Sequence, residues 1–133
     1  MRSAAVLAAA AIAVSSLASG DSAAAAPLPT RIGQCSRTAI SRIEQRLEDA
    51  STGRPIPGSG SAVRFANGGY QVSYDEIPQI MRSRPGDPVR ICLVSLPKNC
   101  PPGDRRGRVY KTTNLRTRGS WTLPDSEHSC GGA

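Results

Sequence analysis

The sequence predicts an α+β domain: one N-terminal amphipathic helix laid on an antiparallel sheet of about five strands, held by two disulfides. Three observations carry this. Ile40, Ile43 and Leu47 recur at helical spacing over residues 38–50, with Arg42, Glu44, Gln45, Arg46 and Glu48 filling the opposite face. Short strand-like runs separated by turn residues follow, beginning with "SAVRFANGGYQVSY". The cysteine count is even, at 4, and the only aromatic side chains are Phe65, Tyr70, Tyr74, Tyr110 and Trp121. A core this thin needs staples.

The first segment stands outside the domain. "MRSAAVLAAAAIAVSSLASGDSAAAA" carries Arg2, then an apolar run from Ala4 to Val14, then small residues. This is the pattern of a secretory signal peptide cut after Ala25, giving residues 1–25 as leader and 26–133 as one disulfide-stapled domain. The apolar run is short of the roughly 20 residues that a membrane-spanning helix needs.

"PLPTRIGQ" reads as an extended lead-in, and the helix over 38–50 would be capped by Ser36 or Thr38 and stopped at Gly53. "GRPIPGSGS" is a link without the Gly-Lys-Ser/Thr ending of a phosphate-cradling loop. Asn67-Gly68 suits a two-residue hairpin turn, which sets Phe65 opposite Tyr70 and Val63 opposite Val72 on a buried face. Arg64 and Gln71 would then pair on the exposed one. "YDEIPQIMRS" reads as one helical turn, capped by Asp75, with Ile77, Ile80 and Met81 inward. "VRICLVSL" is apolar on both parities, as in a strand covered on both faces. "RVYKTTN", "LRTRG" and "SWTL" form a last hairpin, with Gly119 at a positive-φ position and Trp121 and Leu123 inward.

Four cysteines permit three pairings. The short turn "CLVSLPKNC" favours Cys92–Cys100, leaving Cys35–Cys130 to tie the chain ends. The absence of a C-x-x-C pair argues against a zinc site, and no metal or other cofactor is expected.

The formal net charge is +7. It is concentrated late: Lys98, Arg105, Arg106, Arg108, Lys111, Arg116 and Arg118 share their stretch with one acid, Asp104. Outside the cytoplasm such a stripe suits an anionic envelope polymer or lipid headgroups. Arg105, Arg106, Arg108, Lys111, Arg116 and Arg118 are therefore the expected binding residues. The bland counterpart is a solvated hairpin.

Asp125, Ser126 and His128 sit together near the end, but neighbouring residues of one extended stretch point to alternate sides and make a poor relay. The tail reads better as a clasp ending in Cys130. A hydrolase alternative would resemble the microbial guanyl-specific ribonucleases, which are small, secreted and basic. That resemblance implies His128 as acid, Glu76 as base and Arg108 or Arg90 on phosphate, although the family's Glu–Arg strand and His-Tyr pair are absent here.

"SGSAVRFANGGYQVSY", "RPGDPVRICLVSLPKNCPPGD" and "SWTLPDSEHSCGGA" resemble a group of small uncharacterised exported bacterial proteins. The resemblance implies export and a single domain and carries no activity. The expectation is thus a monomeric, secreted or periplasmic, non-catalytic binding or protective module with a basic face.

Overall fold

The computed structural model describes residues 5, 9–14 and 25–132, so most of the expected signal peptide lies outside the described residues. Six strands follow one another: β1 (Cys35–Gln45), β2 (Ser61–Phe65), β3 (Tyr70–Ser73), β4 (Pro88–Ser95), β5 (Val109–Asn114) and β6 (Ser120–Pro124). One short helix, α1 (Pro78–Met81), lies between β3 and β4. All pairings are antiparallel, in the order β3-β2-β1-β4-β5-β6, and the sheet curls into a half-barrel. The expected α+β class is therefore wrong: among the described residues only Pro78–Met81 is α-helical, and residues 38–50 do not form the expected amphipathic helix.

The reason lies in β1. Thr38 and Ile40 face inward at strand spacing. The register then slips between Ile40, opposite Phe65, and Arg42, opposite Arg64. The extra residue is a β-bulge, and it moves the inward position from 42 to Ile43, which faces Val63. A bulge thus turns a spacing of two into one of three, which reads as a helix. It also bends β1 so that its first half pairs with β4 and its second half with β2.

The β2–β3 hairpin differs from its expectation by one residue. Gly68 N–H donates to Phe65 O at 3.0 Å, and Phe65 N–H donates to Gly69 O at 2.9 Å. The loop therefore holds three residues, with Gly68 alone at positive φ (85°). Arg64 now faces Tyr70 and Val63 faces Gln71, not Val72. A slip of one exchanges the faces of β3. Gln71, expected in solvent, is fully buried.

That burial is matched bond for bond. Gln71 Nε2 donates to Tyr110 O at 2.7 Å and Leu123 O at 3.1 Å. Its Oε1 accepts from the Thr112 hydroxyl at 2.6 Å and Trp121 Nε1 at 2.8 Å. One amide thereby ties β3 to β5 and β6. Around it pack Ile40, Val63, Phe65, Ile80, Val89, Ile91, Leu93, Tyr110 and Trp121, with Leu28 and Leu123 against them.

Other expectations shift with the sheet. β4 is covered on one face only, with Val89, Ile91 and Leu93 inward and Arg90 and Val94 exposed. In α1 Ile80 is buried, but Ile77 occupies the cap position and Met81 is half exposed. In the last hairpin Arg118, not Gly119, has positive φ (65°). Gly119 serves a close approach instead, since a Cβ there would come within 3.2 Å of Gln79.

Two disulfides are present, but neither expected pairing is. Cys35 joins Cys92, and Cys100 joins Cys130. Cys35 and Cys92 are register partners on β1 and β4, so the mistaken helix hid their meeting. The loops closed, 57 and 30 residues, are each worth about 4 kcal/mol in the chain-entropy treatment. Peptide mapping without reduction should recover these two links, and a Cys92–Cys100 peptide would refute the topology. Replacing Gln71 with leucine should cost about 2–5 kcal/mol in chemical denaturation, because buried donors on Thr112 and Trp121 lose their acceptor. A loss below about 1 kcal/mol would show that the amide is not what closes the sheet.

Candidate functional site

The structure divides the expected basic residues into two sets. Arg106 forks onto Asp104 at 3.0 and 2.9 Å and also donates to Gly132 O. Arg108 donates to Asp125 at 3.1 Å, and the same carboxylate accepts from the N–H groups of Gly107 and Arg108. Arg116 grips buried Asp87, which also accepts from the Asn114 amide at 2.8 Å and from Arg84 N–H at 3.0 Å. These three arginines hold loops together. Arg105, Lys111 and Arg118 meet no carboxylate among the described residues.

The carboxylates feel their partners. The Arg106 fork, then the Gly131 N–H, holds Asp104 well below the usual carboxylate range. Arg116, then the Asn114 amide and Arg84 N–H, does the same for Asp87 against the opposing effect of burial.

Of the residues of the hydrolase alternative, Glu76 and Arg108 are engaged by other partners, while Arg90 and His128 are exposed. Glu76 accepts from the Gln45 amide at 3.3 Å and from Gly58 N–H at 3.2 Å. Arg108 is committed to Asp125. His128 is exposed, and no hydrogen bond or ion pair among the described residues joins its imidazole to Glu76, Arg108 or Asp125. Asp125 itself organises the turn at Gly107, and Cys130 N–H donates to Arg106 O at 2.8 Å. The tail is a clasp, as expected, with Cys100 as its partner instead of Cys35.

A charge-balanced cleft covers the outer face of β1, β2 and β3. Glu44 lies between Arg42 at 2.7 Å and Arg64 at 3.2 Å. Arg46 pairs with Glu127 at 2.9 Å and stacks on Tyr74 at 4.3 Å. Arg64 stacks on Tyr70 at 4.7 Å. Every cation here has a carboxylate.

The outer face of β1, β4 and β5 is different. Arg37 and Arg90 are direct register partners, two positions from the Cys35–Cys92 pair. Lys111 lies opposite Cys92 on β5. All three are exposed, and none meets a carboxylate among the described residues. Like charges directly opposite on a sheet repel, so this concentration has an electrostatic cost. Arg37 lies just ahead of the helix expected over 38–50, so the sequence reading gives it no face. Strand parity with Cys35 would have put both on one face.

No family model, curated protein or solved structure matches this chain. No helix among the described residues is long and apolar enough to cross a membrane. Two disulfides point to an oxidising extracellular or periplasmic environment.

Asp87 supplies a pH test. Its folded carboxyl is harder to protonate than its unfolded one, so its contribution is complete above about pH 4 and fades as pH falls toward the folded value. Asp87→Asn should cost about 2–3 kcal/mol at neutral pH, the order of charged hydrogen bonds lost. Unfolding curves of the variant should also depend less on pH below about 4. An unchanged acid limb would show that other carboxylates set it.

Proposed function

We propose that this is a non-catalytic binding module of the cell envelope or its exterior, and that it takes an anionic envelope component on the outer face of β1, β4 and β5. The observation that carries this reading is the pairing of Arg37 with Arg90, beside Lys111, with no ion-pair carboxylate for any of them among the described residues. The chain ties Arg106, Arg108 and Arg116 to acids but leaves this face positive. Counterions would collect there, and an anionic polymer or lipid surface that displaced them would gain their entropy. Arg105 and Arg118 extend the positive field without belonging to its centre.

Export through the expected signal peptide fits the fold. Ala26 N–H donates to Arg37 O at 3.1 Å, and Ala26 O accepts from the Asn67 amide at 3.0 Å. A cut after Ala25 therefore leaves a residue held on both sides, and mass spectrometry of the exported protein should find Ala26 first. The ribonuclease-like alternative lacks comparable support, since Glu76 and Arg108 are held by structural partners.

Binding to lipopolysaccharide should weaken about tenfold or more between roughly 50 and 200 mM salt, the order set by about three cationic contacts. The combined Arg37→Glu, Arg90→Glu and Lys111→Glu variant should lose it, while His128→Ala should keep both binding and stability. Salt-insensitive binding, or none to lipopolysaccharide and acidic glycan alike, would return the face to a solvated surface. RNA cleavage by the pure protein, lost in His128→Ala, would overturn the non-catalytic reading.

A further inference from the structure

Residues 26–34 form a strap beside the first half of β1. It is well anchored: Pro29 is buried, Leu28 packs against the core, and Gly33 N–H donates to Leu93 O at 2.9 Å. Between the strap and the sheet lies a cavity of about 670 Å³, into which Thr30, Gln34, Arg37 and Arg90 contribute. No carboxylate among the described residues lines it.

Gln34 gives the cavity its polarity. Its Oε1 accepts from Thr30 N–H at 3.0 Å and from Arg31 N–H at 3.3 Å. The amide oxygen is thus taken by the strap's own backbone. That leaves Nε2, a donor with no protein acceptor among the described residues, on a side chain that lines the same cavity as Arg37 and Arg90. Arg37 and Arg90 flank each other in the same kind of register as Cys35 and Cys92, whose Cα atoms are 4.0 Å apart. Residue pairs two apart in an antiparallel ladder share their type, so the arginine stems start about 4.5 Å from each other.

We propose that this cavity is a specific site for a phosphate monoester, held by Arg37, Arg90 and the Gln34 amide. The inference rests on the binding reading above and deepens it by naming the group recognised. A carboxylate offers two oxygens and is satisfied by one guanidinium fork, whereas a phosphate monoester offers three terminal oxygens and two negative charges. It can accept from both guanidiniums and from Gln34 Nε2 at once, and it cancels the repulsion between the two arginines. The phosphate can belong to a lipid headgroup or to a soluble or glycan-borne ester.

The test uses the exported protein with two probes, inorganic phosphate by calorimetry and phosphatidylcholine vesicles carrying phosphatidic acid by co-sedimentation. Gln34→Glu is the informative variant. Its carboxylate still accepts from Thr30 and Arg31 N–H and adds a negative charge beside the arginine pair, so thermal stability should hold or rise, but the cavity loses the Nε2 donor and gains an anion. Phosphate binding should fall at least tenfold in Gln34→Glu and be lost in the combined Arg37→Gln and Arg90→Gln variant. His128→Ala, at an exposed position outside the cavity, should leave phosphate binding intact. Binding of inorganic phosphate alone would support the site with a soluble or glycan ester as its source, and binding of both probes a lipid source. No binding of either probe, or equal binding by Gln34→Glu, would overturn the site. If lipopolysaccharide still bound in that case, the basic-face reading would survive; if phosphate bound and lipopolysaccharide did not, the cavity would stand and the face reading would fall.

Discussion

The Gln71 side chain is the constraint on which the rest of the structure depends. A half-barrel leaves two sheet edges, here β3 and β6, that must be brought together without a main-chain ladder. Gln71 reaches across with both halves of its amide in use, donating to carbonyls of Tyr110 and Leu123 and accepting from Thr112 and Trp121. Apolar packing is non-directional, and a core with one tryptophan and one phenylalanine could close in several ways. The amide could not. Any other closure would leave buried donors and acceptors unpaired, at about 1–3 kcal/mol for each. The large Trp121 ring is fixed by the same bond that satisfies its N–H.

With the closure fixed, the acids become available for ties between loops. Asp87 links the segment after α1 to the β5–β6 turn, while Asp104 and Asp125 fasten the loop before β5 to the tail. Glu127 then reaches Arg46 just beyond the end of β1. The Cys100–Cys130 bridge holds the same loop and tail covalently. The stripe of arginines in the late sequence is therefore largely structural. Positive charge is left over on the outer face of β1, β4 and β5, where Arg37, Arg90 and Lys111 meet no carboxylate among the described residues.

Much of the sheet was legible before the fold was known. The turn residues marked β2, β3, β5 and β6, and the even cysteine count marked two bridges, because both signals are local or compositional. What stayed hidden was non-local. One bulge at residue 41 gave β1 a helix-like period, and with it went the class of the fold. A three-residue loop in place of a two-residue turn moved Gln71 from surface to centre. Cysteine pairing followed strand register. Loop length discriminates weakly, since doubling a loop costs only about 0.6 kcal/mol, so the short Cys92–Cys100 loop had no decisive advantage. Of the site, the excess of charge was readable. Its location was not, because Arg37 and Arg90 meet only through the pairing of β1 with β4.

The bridge and the arginine pair belong to one arrangement. Repulsion between Arg37 and Arg90 could be relieved by splaying the first half of β1 away from β4, the one neighbour strand it has there. The Cys35–Cys92 bond forbids that two residues away, and Gly33 and Gln34 extend the pairing past it through Leu93. The strap walls the other side and is pinned by Asn67, whose amide reaches Ala26 from the β2–β3 loop. Arg42 and Arg64 are also register partners, but Glu44 lies between them. Here two like charges are locked face to face by a covalent bond in a cavity lined with donors. Natural sequences keep such a local conflict chiefly at functional sites, and an anion between the two guanidiniums, as proposed, would resolve this one.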